Sequence, residues 1–461
     1  MKKIYIMIYL SLFICTFQLQ AKVFHVSTSD QLQDALNMFS GNRDASDSIY
    51  LSAGTYKVSS CITSIRIIEN ELNEIKICSE EGLRADQVII NIGELYFQTQ
   101  QPIEKITIQR VTLQNAATHR SFSIESAIET VISNCIITNN YRGIHIVNSK
   151  VIISGNTIIN NTYEGIDIQN SIGKCEIVSN IISNNGYAIH ASSNNNGLTI
   201  SSNIVTNNNN GVSLENNYYS VISNNLILKN GNYSTSTSGY GGLKILSSNV
   251  IVLNNTITNN KTNGNGGGIY FDNAYTSQVY NNIIWSNLAK GQGDDIYINR
   301  FANFSGFYNN IYKDFDGPVD ELVANSSKDP LFVDYQNDDY HLSPDSPCIN
   351  TGDNTAPDLT ETDLDGNPRI SDNTIDIGAY EFTTTERIPS DQNEDWILTN
   401  EEFNAYAEAW RKGEPWNSGP DPIPIDYVTR SGYLQKKGET YKNEGGKKPV
   451  CWKPDDNNTK R

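Results

Sequence analysis

An all-β solenoid, a chain wound into stacked coils of short parallel strands, is the fold predicted by this 461-residue sequence. Three observations predict it. Asn-x-(Ile or Val)-x-x-Asn recurs from Asn134 to Asn287, apolar residues alternate with polar ones at three places in each repeat, and the period is 22 to 30 residues. The first Asn of each unit reads as Asn134, Asn156, Asn180, Asn203, Asn225, Asn255 and Asn282, and the second as Asn139, Asn161, Asn185, Asn208, Asn230, Asn260 and Asn287. A two-sheet sandwich gives no reason for such fixed offsets.

Taken in chain order, residues 1–21 read as an export signal: Lys2 and Lys3, an apolar run from Ile4 to Phe17, then Leu19-Gln20-Ala21 as a small-residue cleavage site. Nothing else is apolar for long enough to span a bilayer. Secretion or cell-surface display follows as the expectation. The net charge of −18 argues against nucleic acid and anionic membranes as partners. It leaves glycans, cations and divalent metals. The cysteines are too sparse for a disulfide scaffold, with Cys61 and Cys78 the one plausible local bridge.

Residues 22–328 carry the coils. Ser27 to Leu36 reads as a capped amphipathic helix at their start. Each coil offers three strands: one around the central Ile of the Asn motif, one after a glycine (Gly143-Ile144-His145-Ile146, Gly165-Ile166-Asp167-Ile168), and one before the next Asn (Val151-Ile152-Ile153, Cys175-Glu176-Ile177). Tight corners between them suit Asn and Gly, which tolerate left-handed backbone angles. Each buried Ile contributes about 1.5–3 kcal/mol, so stacked coils build a core without globular packing.

In pattern the chain resembles the right-handed parallel β-helix family, the fold shared with pectate lyases. The resemblance covers residues 22–382 and is strongest over 110–312. It implies a single-chain right-handed helix of three parallel sheets whose first coil is closed by the capping helix. Residues 329–382 resemble the choice-of-anchor Q segment that ends many exported bacterial β-helix proteins, through Asp329-Pro330-Leu331-Phe332, Asp363-Leu364-Asp365-Gly366-Asn367-Pro368-Arg369 and Asp376-Ile377-Gly378-Ala379-Tyr380-Glu381. That resemblance implies a C-terminal cap of the solenoid and attachment through whatever follows it.

After a polar linker at 383–392, residues 391–461 resemble a dockerin or EF-hand tail. Asp391, Asn393, Asp395 and Glu402 stand at loop positions 1, 3, 5 and 12, and the Ile397 carbonyl serves position 7. Calcium is the implied cofactor, although Trp396 occupies the place of the usual glycine. A helix is expected from Asn400 to Arg411. A second unit follows from Asp426 to Tyr441, and a protein partner or anchor is the expected contact of the tail.

Chemistry is expected along one column. The outward residue of each glycine-led strand reads Ser123, His145, Asp167, His190, Ser213, Lys244, Tyr270 and Tyr297, with Arg142 beside Glu164 one position before the glycine. Longer turns after Asn230, Asn260 and Asn287 rise beside its later members. Two readings stand. One is an exported glycan binder that meets sugar through Ser213, Tyr270 and Tyr297. The other is a lyase or hydrolase of uronate polymers drawing on His145, Asp167, His190, Lys244, Glu164 and Arg142.

Overall fold

Outward and inward side chains alternate along a strand, so a coil whose strands each bury two aliphatics can only stack on a copy of itself. The computed structural model shows this arrangement and describes residues 22–39, 47–58, 74–93, 95–116, 122–194, 197–231, 240–274, 276–299, 302, 304–311, 315–371, 373–383, 387–393, 395–416, 419–420, 422–443 and 448–455. The export signal and Cys61 lie outside the described residues. Cys78 is buried. Successive coils pair in parallel around one apolar core, forming a right-handed β-helix.

We name three faces. Face 1 holds the short strands after the Asn corner, such as Thr157–Ile159 and Ile181–Ser183, in an 11-stranded parallel sheet. Face 2 holds the glycine-led strands, such as Ile144–Val147 and Glu164–Gln169, and face 3 holds Lys150–Ser154 and its equivalents. Faces 2 and 3 are not separate throughout. In the early coils, Leu95–Gln109 and Phe122–Ser133 run through both, joining them into one 21-stranded sheet. Residues 98–105 offer no Gly or Asn for a tight corner, and in the next coil the bend falls on Ser126 at a φ of 68°.

The helix at Ser29–Phe39 begins with a reciprocal cap: the Thr28 hydroxyl accepts from the Gln31 N–H at 3.3 Å, and the Gln31 side chain accepts from the Thr28 N–H at 3.2 Å. Leu32, Ala35 and Leu36 enter the core and close the first coil, as expected.

Two amide ladders hold register. In the first, Asn203 accepts from the Asn180 backbone and side chain at 2.9 and 3.0 Å, and its Nδ2 donates to the Ile177 carbonyl at 2.8 Å and to Asn225 Oδ1 at 3.0 Å. The pattern runs from Asn156 to Asn325. The second ladder runs from Asn140 to Asn287 and ends on Asp295. Asn134 and Asn139 are not members, which corrects the expected register of the first coil by one residue. There the ladder places are Cys135 and Asn140, and the buried isoleucine is Ile137. Asn134 and Asn139 are instead the left-handed corner residues preceding each ladder position, with φ of 54° and 56°.

Residues 329–382 pack on the side of the solenoid. They lie along the outside of face 1, where Tyr340, Ala379 and Tyr380 pack on Leu226 and Leu228, and Leu342, Cys348 and Ile377 pack on Ile283. The corner residues Asn224, Asn254 and Asn281 reach out to the segment's carbonyls at Thr362, Asp376 and Asp353. The Asp-rich turns serve the segment internally. Asp363 accepts from the N–H groups of Asp365, Asn367 and Glu381, and the fully buried Arg369 pairs with Glu381 at 3.2 Å.

The tail contains the expected helix at Asn400–Lys412, a second at Ile425–Lys437, and an antiparallel pair, Tyr441–Asn443 with Trp452–Pro454. The linker is shorter than expected because Ile388 and Ser390 are already buried in the tail. Among the described residues no helix is long and apolar enough to cross a membrane.

Candidate functional site

Face 2 aligns the predicted column in strict parallel register: Ser123, His145, Asp167, His190, Ser213, Lys244, Tyr270 and Tyr297 are consecutive partners. Flanking residues such as Ile166 and Ile168 point into the core, which fixes the other parity outward. The glycines before these strands let neighbouring coils approach. A Cβ added at Gly211 would lie 2.0 Å from the Gly242 carbonyl.

The column is less exposed than its parity implies. Ser123, Asp167 and Ser213 are 0, 1 and 1% exposed, because rungs one strand spacing apart let large side chains roof over small ones. Ser213 is therefore not available to touch a ligand directly. His145, His190, Lys244, Tyr270 and Tyr297 are half-buried and form the accessible part of the column.

Asp167 organises the centre. His145 Nδ1 donates to Asp167 Oδ2 and His190 Nδ1 donates to Asp167 Oδ1, both at 2.8 Å, since an ionised carboxylate can only accept. Burial opposes the charge on Asp167. The hydrogen bonds and charges of the two imidazoles outweigh it and hold the carboxyl well below the usual carboxylate range. The same hydrogen bond raises the His190 pKa against the effect of burial. Both Nε2 atoms are left without a hydrogen-bond partner among the described residues.

Charge continues to either side. Arg142 Nε lies 2.8 Å from Glu164 Oε2 and its Nη1 4.0 Å from Asp167, so the expected Arg142–Glu164 neighbours form an ion pair on the edge of the histidine cluster. Further along, Lys244 approaches Glu215 at 3.9 Å and lies 5.5 Å from the Tyr240 ring centroid. Tyr270 and Tyr297 stack at 5.5 Å, and burial pushes the Tyr270 phenol up to about 12. The longer turns after Asn260 and Asn287 stand beside these rings, with a Cβ added at Gly266 lying 2.8 Å from Tyr270 Cβ and one at Gly293 lying 2.9 Å from Tyr297 Cα, while residues 232–239 of the turn after Asn230 lie outside the described residues. Short strands Lys261–Thr262 and Leu288–Ala289 pair to knit the turns together.

Several members escape the one-residue-per-coil reading. Gln169, whose Nε2 donates to Asp167 at 3.0 Å, together with Glu215 and Asp272, sits two residues after a column member. The same period of two would have found them. Tyr141 and Tyr163 stack at 4.8 Å in the turn beside Arg142 and Glu164, and an aromatic at the same place in consecutive repeats was the available signal.

In the tail, the predicted ligands close their own loop. Asp391 accepts from the N–H groups of Asp395 and Trp396 and from the Tyr441 hydroxyl, and Glu402 accepts from Gln392, Asn393 and Thr399. Trp396 takes a left-handed φ of 65°, the turn that an EF-type loop needs at that place. Among the described residues, no three or more His, Cys, Asp or Glu side chains are gathered as metal ligands.

One family match agrees with the fold. The family described as right handed beta helix region matches residues 95–227. Among solved structures, pectate lyase Pel9A superposes with a TM-score of 0.49 at 14% identity, covering 78% of this chain and 96% of its own. The A-module of the Azotobacter vinelandii mannuronan C-5 epimerase AlgE4 gives 0.37 at 11%, covering 65% of this chain and 91% of its own. A mannuronic acid specific polysaccharide family 6 lyase from human gut microbiota gives 0.33 at 10%, covering 66% and 82%. No curated protein matches the sequence.

Proposed function

We propose that this chain is an exported protein that binds an extended polysaccharide along face 2, with the His145–Asp167–His190 cluster at the centre of the contact, and is displayed through its C-terminal tail. The carrying observation is the buried Asp167 carboxylate, which orients two imidazoles on rungs either side of it through their Nδ1 atoms and leaves both Nε2 atoms without a hydrogen-bond partner among the described residues. Hydrogen-bonding groups and stacked rings repeated along one axis match a linear polymer better than a compact ligand. Affinity electrophoresis against pectate, alginate and neutral glucans tests the proposal. Retardation by at least one polymer, lost in His190→Ala, is expected; unchanged mobility with all of them refutes it.

Turnover is the second reading, favoured by the same orientation, because an imidazole held at Nδ1 by a carboxylate presents Nε2 for proton transfer. Reducing ends together with the ultraviolet absorbance of unsaturated products separate hydrolysis, elimination and binding alone. Cleavage abolished by Asp167→Asn would make the cluster catalytic.

For the tail we propose calcium in the loop from Asp391 to Glu402, supported by the ligand spacing and the left-handed Trp396. Chelation with EGTA is expected to loosen the tail, read by protease sensitivity after residue 387, while the solenoid's circular dichroism stays unchanged. Identical proteolysis with and without calcium would remove the metal from the account.

A further inference from the structure

On face 1, a different face from the column's, the solenoid and residues between Ser327 and Tyr340 line a cavity of about 480 Å³, within the range of small-molecule sites. We propose that this cavity binds a neutral pyranose residue, as a saccharide site separate from the histidine column.

The floor belongs to the solenoid. Thr258 and Trp285 are register partners on the outside of face 1, and Asn259 and Ser286, the next residues, hold left-handed corners with φ of 54° each. In the described coils from Asn91 on, this place holds Asn91, Gln114, Thr138, Ile159, Ser183, Thr206, Leu228 and Thr258, none of them aromatic, and then Trp285. The wall belongs to the overlying segment. Phe332 and Trp285 pack against the same buried cluster of Ile283, Leu342, Cys348 and Ile377, Phe332 meets Tyr340 edge-on at 5.1 Å, and Tyr340 takes a hydrogen bond from Asn259 at 2.9 Å. Asp338 pairs with Lys229 and pins the turn that carries Tyr335. The rim is therefore fixed before any ligand arrives.

The surface it presents is mixed in a particular way. Trp285 and Tyr335 offer ring faces, and Tyr335 and Leu331 remain 57% and 39% exposed. Leu331 holds a left-handed φ of 51°, a costly conformation for a residue with a bulky side chain. Around these lie the hydroxyls of Thr258, Ser286 and Ser327 and the Asp329 carboxylate. Asp329 Oδ1 accepts from the Leu331 N–H at 2.9 Å, and its Oδ2 is left to accept from a ligand hydroxyl. A pyranose has the complementary build, an apolar C–H face and a rim of hydroxyls. Among the described residues the lining contains no Lys, Arg or His, and its one charge is negative. A uronate carboxylate would meet repulsion there without a counter-ion, so the sugar is uncharged.

The test is isothermal titration of the whole protein with cellohexaose, mannohexaose and a galactohexaose, and with tetragalacturonate as the acidic probe. At least one neutral oligosaccharide is expected to bind, and Trp285→Ala and Tyr335→Ala each to weaken it about tenfold or more. His190→Ala is expected to leave that binding unchanged, which separates this site from the column. Trp285 also packs against the cluster that seats the overlying segment, so Tyr335→Ala, at an exposed ring, carries the decision if Trp285→Ala disturbs the segment. Absence of binding by all three neutral probes, or binding that survives Tyr335→Ala, or loss in His190→Ala instead, each overturns the proposal.

Discussion

Replacing Asp167 with Asn removes one charge and keeps the shape, so it isolates what the carboxylate does for the two histidines. In the native column both Nδ1–H groups donate to it at 2.8 Å, and hydrogen bonds to a charged group contribute about 1.5–3 kcal/mol each. An amide offers one acceptor and turns its NH₂ toward the other imidazole, donor against donor. One bond then survives at neutral strength and one is lost, at a cost of roughly 2–4 kcal/mol. Stability in a solenoid is close to a sum of neighbouring coils, so the cost falls on the rungs from His145 to His190. The pH dependence carries the sign. Asp167, with its pKa lowered, contributes stability above the unfolded carboxyl value of about 3.9 that is lost as pH falls through its native pKa. His190, with its pKa raised, contributes stability below the unfolded value of about 6.5 that is lost as pH rises through its native pKa. Their joint contribution is greatest between about pH 4 and pH 6.5. Urea unfolding of wild type and Asp167→Asn across pH, with NMR titration of the histidine ring protons, is the assay. The variant should lose the decline above neutrality and its His190 should titrate lower. An unmoved His190 midpoint would refute the shared-carboxylate account.

Two further perturbations address the scaffold and its cover. Asn203→Ala deletes a fully buried rung of the first ladder and strands the Asn180 N–H and the Ile177 carbonyl, at about 3 kcal/mol or more; hydrogen exchange should show the protection loss centred on the coils around Asn203, and uniform loss along the chain would count against nearest-neighbour stacking. His341, clamped between Asp339 at 2.5 Å and Asp365 at 2.9 Å with its ring centroid 3.9 Å from that of Tyr380, is opposed by burial, yet its pKa is pushed up to about 9 by those carboxylates. It stabilises the segment on face 1 fully below about pH 6.5, and that support, of the order of 3 kcal/mol, is lost as pH rises through about 9. Limited proteolysis within 329–382 should quicken over that window in wild type and be pH-independent in His341→Phe.

The coils were legible because each one meets the same neighbours, so a spacing of five between Asn residues, repeated, reports the stacking directly. The first coil was misplaced by one residue for a physical reason. Asn suits both the ladder and the left-handed corner before it, and Asn134-Cys135-Ile136-Ile137-Thr138-Asn139-Asn140 can be threaded either way. Only burial of Ile137 in place of Ile136 decides it. The column's register followed from periodicity, but not its roofing, which depends on the relative heights of side chains on adjacent rungs. The resting place of residues 329–382 is a long-range matter that no local motif encodes, yet its footprint was written in the solenoid. Outward positions on face 1 pair one aliphatic with one polar residue in the middle coils, Ile159 and Thr157, Ile181 and Ser183, Ile204 and Thr206, and both become apolar at Leu226 and Leu228 and again at Ile283 and Trp285. Over the same stretch the corner changes from Gly155, Ser179 and Ser202 to Asn224, Asn254 and Asn281, whose amides reach the segment's carbonyls. Apolar side chains on the outer face of a coil need a cover, because water will not carry them at no cost. Leu226, Leu228 and Ile283 are all but sealed by that cover, whereas Trp285 is covered on one side and opens into the cavity on the other. A tryptophan at the margin of a packed face, close to the exposed Tyr335 ring, is the footprint on which the saccharide proposal rests.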